Sequence, residues 1–196
     1  MNGNVIFTYN QDDALAAGQS GFINESGAYV FTITEAKLGM SEGGARFVEF
    51  SGEEDDGRKV NYLSIYSTKR DGEINKFGHN LINAIMGCAG VQQLTQVKVG
   101  ENHFVAPELS GKRVGLVLQK VLKTKTNGNE TYSFDIKIPF FADTRQTLAE
   151  KIDNAPAVTI DKILSTLKDK DERKQQSQSN QGYGYQHPTN DIDAPF

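Results

Sequence analysis

From Ala28 to Lys37 the chain reads AYVFTITEAK, and apolar and polar positions alternate. Tyr29, Phe31 and Ile33 fall on one side, Thr32 and Thr34 on the other. A period of two predicts a strand with one buried face. LGMSEGGA, with its three glycines, breaks the pattern and predicts a loop or hairpin connection. RFVEFS resumes the alternation as a second strand. GEEDDGRK is a charged turn whose Asp-Gly suits a hairpin, and KVNYLSIYS reads as the third strand. The period then changes. NKFGHNLINAIMGCAG sets Leu81, Ile82, Ile85 and Cys88 at helical spacing, with Gly87 and Gly90 placed to end the helix. Beyond Pro107 and Gly111, KRVGLVLQKVLKTK predicts a long fourth strand. TNGNE carries the Asn-Gly hairpin signal, and TYSFDIKIPFF follows with Tyr132, Phe134, Ile136 and Ile138 expected on one face.

Three strands, a helix and two strands is the order of the OB-fold. The fold class expected is therefore mainly β, a five-stranded Greek-key barrel with a helix between strands three and four. Closure would remove the exposed sheet edges. Thr147 to Glu150 has the form of a capping box. TIDKILSTLKDK places Ile160, Ile163, Leu164 and Leu167 on one stripe of a C-terminal helix. From Asp171 the sequence DERKQQSQSNQGYGYQHPTN is too polar to offset the entropy of ordering, and a disordered linker is expected. The organisation is then a lead-in over 1–26 (with NVIFTY as a candidate short strand), a barrel over 27–145, a helical segment over 146–170, and a linker with a terminal tip over 171–196.

Composition narrows the function classes. Hydrophobic residues make up 37% of the 196 positions, which fits a packed domain with unpacked ends. The net charge is −4, so any nucleic-acid site must be a local patch. Cys88 is the only cysteine, and the histidines at 79, 103 and 187 have no metal-ligand spacing. No cofactor is expected. The opening MNGNVIFTYNQDD lacks the form of a secretory signal, and no apolar run is long enough for a membrane. A soluble protein of cytosolic type is expected. No phosphate-cradling Gly-Lys-Ser/Thr loop, Gly-x-Ser-x-Gly elbow or His-Glu-x-x-His pair occurs, so no enzyme is expected. The acids Glu53 to Asp56 suit a solvated turn better than a metal site, and a metal-dependent nuclease ranks a distant third.

A binding surface is better supported. In the third strand Leu63 and Ile65 point one way, and Tyr62 and Tyr66 point the other. Phe47 stands opposite Val48 and Phe50 in the second strand. Such rings offer stacking platforms for bases, and each also suits a strand for its packing alone. Between positions 112 and 137 six cations (Lys112, Arg113, Lys120, Lys123, Lys125 and Lys137) face only Glu130 and Asp135. Arg46, Lys69 and Arg70 could join that strip. It suits a groove that follows a phosphate backbone, or else a solvated strand face. The three glycines at 39, 43 and 44 suit a flexible loop that closes over a ligand and equally a connection that needs positive φ.

The chain ends on NDIDAPF. Phe196 can fill an apolar pocket while its carboxylate pairs with an arginine, and Pro195 lowers the cost of ordering. This end resembles the C-terminal tip of bacterial single-stranded DNA-binding proteins, where an acidic run leads to Ile-Pro-Phe. Here Ala194 replaces that isoleucine and the acids are fewer. The Gln/Ser/Asn/Gly/Tyr linker is similar in kind. The body is similar to the single-stranded DNA-binding proteins of phages, most tellingly over ESGAYVFTITEAKLGMSEGGARFVEFS. The resemblance implies an OB-fold body that holds single-stranded DNA. It also implies a tip, Asp191, Ile192, Asp193, Ala194, Pro195 and Phe196, that recruits replication, recombination and repair proteins in the cytoplasm of a bacterial host cell. The alternative is a protein-interaction module that mimics the host protein's tip and binds no DNA. Homo-oligomerisation stays open, since the Ile160–Leu167 stripe could cover the barrel or a second subunit; the barrel is preferred.

Overall fold

A single long strand with one bulge serves three neighbours. β1 (Gly27–Met40) pairs along one edge with β2 (Arg46–Glu53), and the register shifts by one residue between Ile33 and Glu35. The extra residue, Thr34, bends the strand and moves its buried side from Phe31 and Ile33 to Ala36. On the other edge the first half of β1 pairs with β6 (Arg113–Thr124), and the second half pairs with β5 (His103–Val105). The computed structural model describes residues 8, 9, 11 and 21–173. The NVIFTY candidate lies largely outside them, and its described residues Thr8 and Tyr9 are exposed and in no strand.

The remaining elements are β3 (Lys59–Tyr66), α1 (Lys76–Ala89), β4 (Val97–Gly100), β7 (Glu130–Phe140), α2 (Leu148–Ile152), α3 (Thr159–Leu164) and β8 (Lys170–Asp171). The protein is mainly β, with an open antiparallel sheet of eight strands, to which β8 adds a short parallel contact on β6. The three strands beyond the expected five are the β4–β5 hairpin and β8. β1 also runs on to Met40 through Gly39, so the expected LGMSEGGA loop shrinks to residues 41–45. No helix among the described residues is long and apolar enough to cross a membrane.

The expected barrel is not closed: no ladder joins β3 to β7. The reason lies in what the edge of β3 binds instead. At its start Lys59 exchanges backbone hydrogen bonds with residues 21–23 (Ile23 N to Lys59 O and Lys59 N to Gly21 O, both 2.9 Å). At its end the Tyr66 carbonyl accepts from Asn75 Nδ2 at 2.9 Å. Those groups are the ones a β7 ladder would need. Between the two ends α1 plugs the seam. Its stripe of Leu81, Ile82, Ile85 and Cys88 enters the main core, with Phe31, Leu63, Leu116 and Ile136 from the strands. Asn75 caps the helix start, and Gly90 (φ 68°) ends it in the left-handed conformation.

A second bulge changes the expected face of β7. The β6–β7 register shifts between Val117 and Leu118, leaving Lys137 as the extra residue. Ile136 stays in the main core, whereas Ile138 and Phe140 turn to the outer face. There Val117, Phe140 and Ile160 form a second core, flanked by Ile163, Leu164 and Leu167. The C-terminal stripe therefore packs on the sheet. It does so from α3 and the turn after it, and the helical segment expected over 146–170 is divided into two short helices, α2 and α3. Pro156 interrupts the chain between them, next to Asn154 at φ 50°.

Glu150 joins those two helices. The predicted capping box forms: Thr147 N and Oγ1 donate to Glu150 Oε2 at 2.8 and 3.0 Å. Its other oxygen accepts from Val158 N at 3.0 Å and Thr159 N at 2.8 Å. Hydrogen bonding from Thr159 first, then from Thr147 and Val158, holds the carboxyl down at about 2, against an ordinary 4.5. A depressed carboxylate contributes stability above its unfolded value and loses it as pH falls through the folded one. Urea midpoints should therefore drop between about pH 4.5 and about pH 2 through this group. In Glu150→Gln that component should be missing. Equal pH profiles for the two proteins would show that the joint does not depend on the charge.

Candidate nucleic-acid interface

Gly39, Phe47 and Tyr66 stand side by side across β1, β2 and β3. Gly39 has no side chain to lift the neighbouring ring: a Cβ there would lie 2.3 Å from Phe47. Phe47 therefore lies over the strand and meets Tyr66 edge-on, with centroids 5.6 Å apart and planes at 61°. In the next row Glu49 accepts from Ser64 Oγ at 2.8 Å and lies 3.8 Å from Lys37 Nζ, so its charge is partly offset.

Two connections frame this end of the sheet. The loop 41–45 closes through Ser41 N to Ala45 O and Gly44 N to Ser41 O. The turn 67–75 is tied to Arg46, whose N donates to Thr68 Oγ1 at 2.8 Å and whose carbonyl accepts from Ser67 N at 2.8 Å. Between them opens a concavity of about 900 Å³ lined by Ser41, Glu42, Gly43, Tyr66, Lys69 and Arg70, among others. Lys69 pairs with Glu73 at 2.7 Å. Among the described residues Arg46 and Arg70 make no ion pair. The concavity continues past Tyr66 and Asn75 into a cleft of about 270 Å³ along the unpaired β3–β7 seam, where Phe77, Phe134, Asp135 and Lys137 join the lining.

Tyr62 shares the exposed side of β3 with Ser64 and Tyr66, and it is unusual. The β2–β3 register shifts between Phe50 and Gly52, and Tyr62, within the resulting bulge, adopts φ 63°. A bulky residue in the left-handed region is strained by roughly 1–2 kcal/mol. The ring is nonetheless 78% exposed. Strain held for an exposed ring points to a surface role. Tyr62→Gly should raise the urea midpoint, by about 1 kcal/mol of stability, and weaken the binding proposed below. A destabilised Tyr62→Gly would mean that the bulge needs the ring.

The structure thus brings Tyr66, Lys69 and Arg70 around the concavity and Tyr66 and Lys137 around the cleft that continues it, with Phe47 against the Tyr66 ring and Tyr62 farther along β3. Arg46 lines neither, because it adjoins Phe47 in β2 and alternation directs it to the other face. It separates the other cations. Lys112 lies exposed in the turn before β6, and Arg113 pairs with Asp55 at 2.9 Å, near the tip of the β2–β3 hairpin. Lys120 sits 4.8 Å from the centre of the Tyr132 ring. Lys123 adds its charge near Glu172, and Lys125 closes the β6–β7 turn with Asn129. The expected strip over 112–137 is not one surface, because alternate residues of β6 point to opposite faces. The acids at 53–56 form ion pairs with Lys59, Arg58 and Arg113. Asp191 to Phe196 lie outside the described residues.

Sequence reasoning missed Phe77, Phe134 and Asn75. Phe77 had a signal, since it precedes Leu81 by four and continues the buried stripe of α1. In that turn Gly78 takes the position against β3, so the Phe77 ring is 71% exposed. No protein-family model matches the chain, and a search of curated proteins finds no match.

Proposed function

We propose that this chain is a single-stranded DNA-binding protein of phage type, which coats exposed strands without sequence preference. The observation that carries it is the concavity lined by Tyr66, Lys69 and Arg70, with Phe47 packed edge-on against the Tyr66 ring. Rings that stack on any base, beside cations that follow a backbone, are what sequence-independent binding of single strands requires. The same reading treats the sheet as an OB-type barrel with one unpaired seam. Its support is the order of elements, with β1, β2, β3, α1, β6 and β7 as the frame, and the position of the loop 41–45 beside β2 and β3. The tip Asp191–Phe196 would recruit replication, recombination and repair proteins in a bacterial host's cytoplasm, on the strength of its sequence alone.

The test is fluorescence anisotropy of a labelled oligo-dT, titrated at several salt concentrations beside a duplex competitor. Tight binding that weakens with salt and resists duplex supports the proposal. Charge reversal then locates the site. Reversing Lys69 and Arg70 should abolish binding, whereas reversing Lys120, Lys123 and Lys125 should cost much less. No binding even at low salt would favour a protein-interaction module, which the net charge of −4 also suits.

A further inference from the structure

The β3–β7 seam holds an aromatic ring without an evident structural purpose. Phe77 is the second residue of α1, directly after the cap Asn75 and Lys76, and its ring is 71% exposed. It lines the cleft of about 270 Å³ together with Tyr66, Phe134, Asp135 and Lys137. We infer that this cleft takes one unpaired nucleobase out of the bound strand, with Phe77 and Tyr66 as its stacking walls.

Three observations carry this, and all rest on the proposed binding of single strands. The first is continuity: Tyr66 and Asn75 line both the cleft and the larger concavity with Arg70, so a strand lying in one reaches the other. Size is the second. The cleft falls at or below the small end of ligand pockets, about 300–1,000 Å³, and suits a single flat group better than a protein segment. The third is polarity. Asp135 on the cleft wall repels a phosphate but accepts from an exocyclic amino group, so a base belongs inside. Lys137, which also lines the cleft, leaves a cation for a phosphate that flanks the base. Asn75 is not available to read the base. Its Nδ2 donates to Tyr66 O and its Oδ1 accepts from Gly78 N, which makes it the fastener that holds α1 against β3.

The experiment uses the full chain and two probes, oligo-dC and the same oligonucleotide with abasic sites throughout. Phe77→Ala, Phe77→Leu and Phe77→Tyr are compared with the unaltered protein by anisotropy, with sedimentation as a control on assembly. An exposed ring can be replaced without unfolding the helix, and the urea midpoint verifies it. Phe77→Ala and Phe77→Leu should weaken oligo-dC binding about tenfold, and Phe77→Tyr should retain it. With the abasic probe all four proteins should bind alike. Phe77→Ala at full oligo-dC affinity, beside a weakened Tyr66→Ala, would overturn the base pocket and leave DNA binding intact. An equal penalty on the abasic probe, or a change in sedimentation without a change in affinity, would also overturn it. Failure of the unaltered protein to bind either probe would overturn both proposals together.

Discussion

Tyr66→Ala should weaken binding of single-stranded DNA by about 2 kcal/mol, roughly thirtyfold, while Phe47→Ala costs only several-fold. The difference follows from the pair's geometry. With planes at 61°, a base lying flat on one ring meets the edge of the other, so the two rings give one platform and not two. Tyr66 is 44% exposed and stands at the junction of concavity and cleft. Phe47 is half-buried over Gly39, and its contribution is to hold the Tyr66 ring in place. The double variant should therefore bind little worse than Tyr66→Ala, because residues in contact do not add. Anisotropy at fixed salt gives the double-mutant cycle. The salt slope should stay unchanged in both single variants, since neither ring neutralises a phosphate. A Phe47→Ala penalty larger than that of Tyr66→Ala would move the platform onto β2.

The sequence made much of this surface legible, for a definite reason. Strand alternation put Phe47, Tyr62 and Tyr66 on the exposed side because β2 and β3 keep one buried face for most of their length. The capping box at Thr147, the α1 stripe and the C-terminal stripe were likewise local patterns, and each formed. Bulges are different. One added residue at Thr34, in the Asn61–Tyr62 stretch of β3 and at Lys137 reverses which side is buried, and no composition marks them. Ile138 was misplaced for that reason. Charge was the least legible. Counting cations along β6 treated neighbours in sequence as neighbours in space, whereas Lys120 and Lys123 belong to opposite faces. The open seam had no sequence signal either. It depends on Asn75 and residues 21–23 occupying the edge of β3, and the β4–β5 hairpin was likewise too short to stand out.

Gly78→Ala tests whether that seam is held as described, and local propensity gives the opposite sign. Alanine in place of a helical glycine normally stabilises by up to about 1 kcal/mol. At Gly78 a Cβ would lie 1.9 Å from the Tyr66 carbonyl oxygen, which is backbone and has little room to yield. The first turn of α1 must then withdraw from β3. Asn75 would lose its hold on Tyr66 O, the cap on Gly78 N would loosen, and Ile85 and Leu81 would be pulled from the core. Overpacking costs about 1–3 kcal/mol and a lost cap about 1 kcal/mol, so the clash outweighs the propensity. The net expectation is a destabilisation of about 2 kcal/mol, seen as a lower urea midpoint at unchanged slope. DNA affinity should fall as well, because Phe77 moves with the helix start. Gly90→Ala is the matched control. It sits at φ 68° with no atom within 4 Å of its would-be Cβ, so it should cost about 1 kcal/mol of stability and no affinity. If Gly78→Ala proved as stable as the unaltered protein, α1 would have to lie farther from β3. The cleft walled by Tyr66 and Phe77 would then be wider than a single base requires.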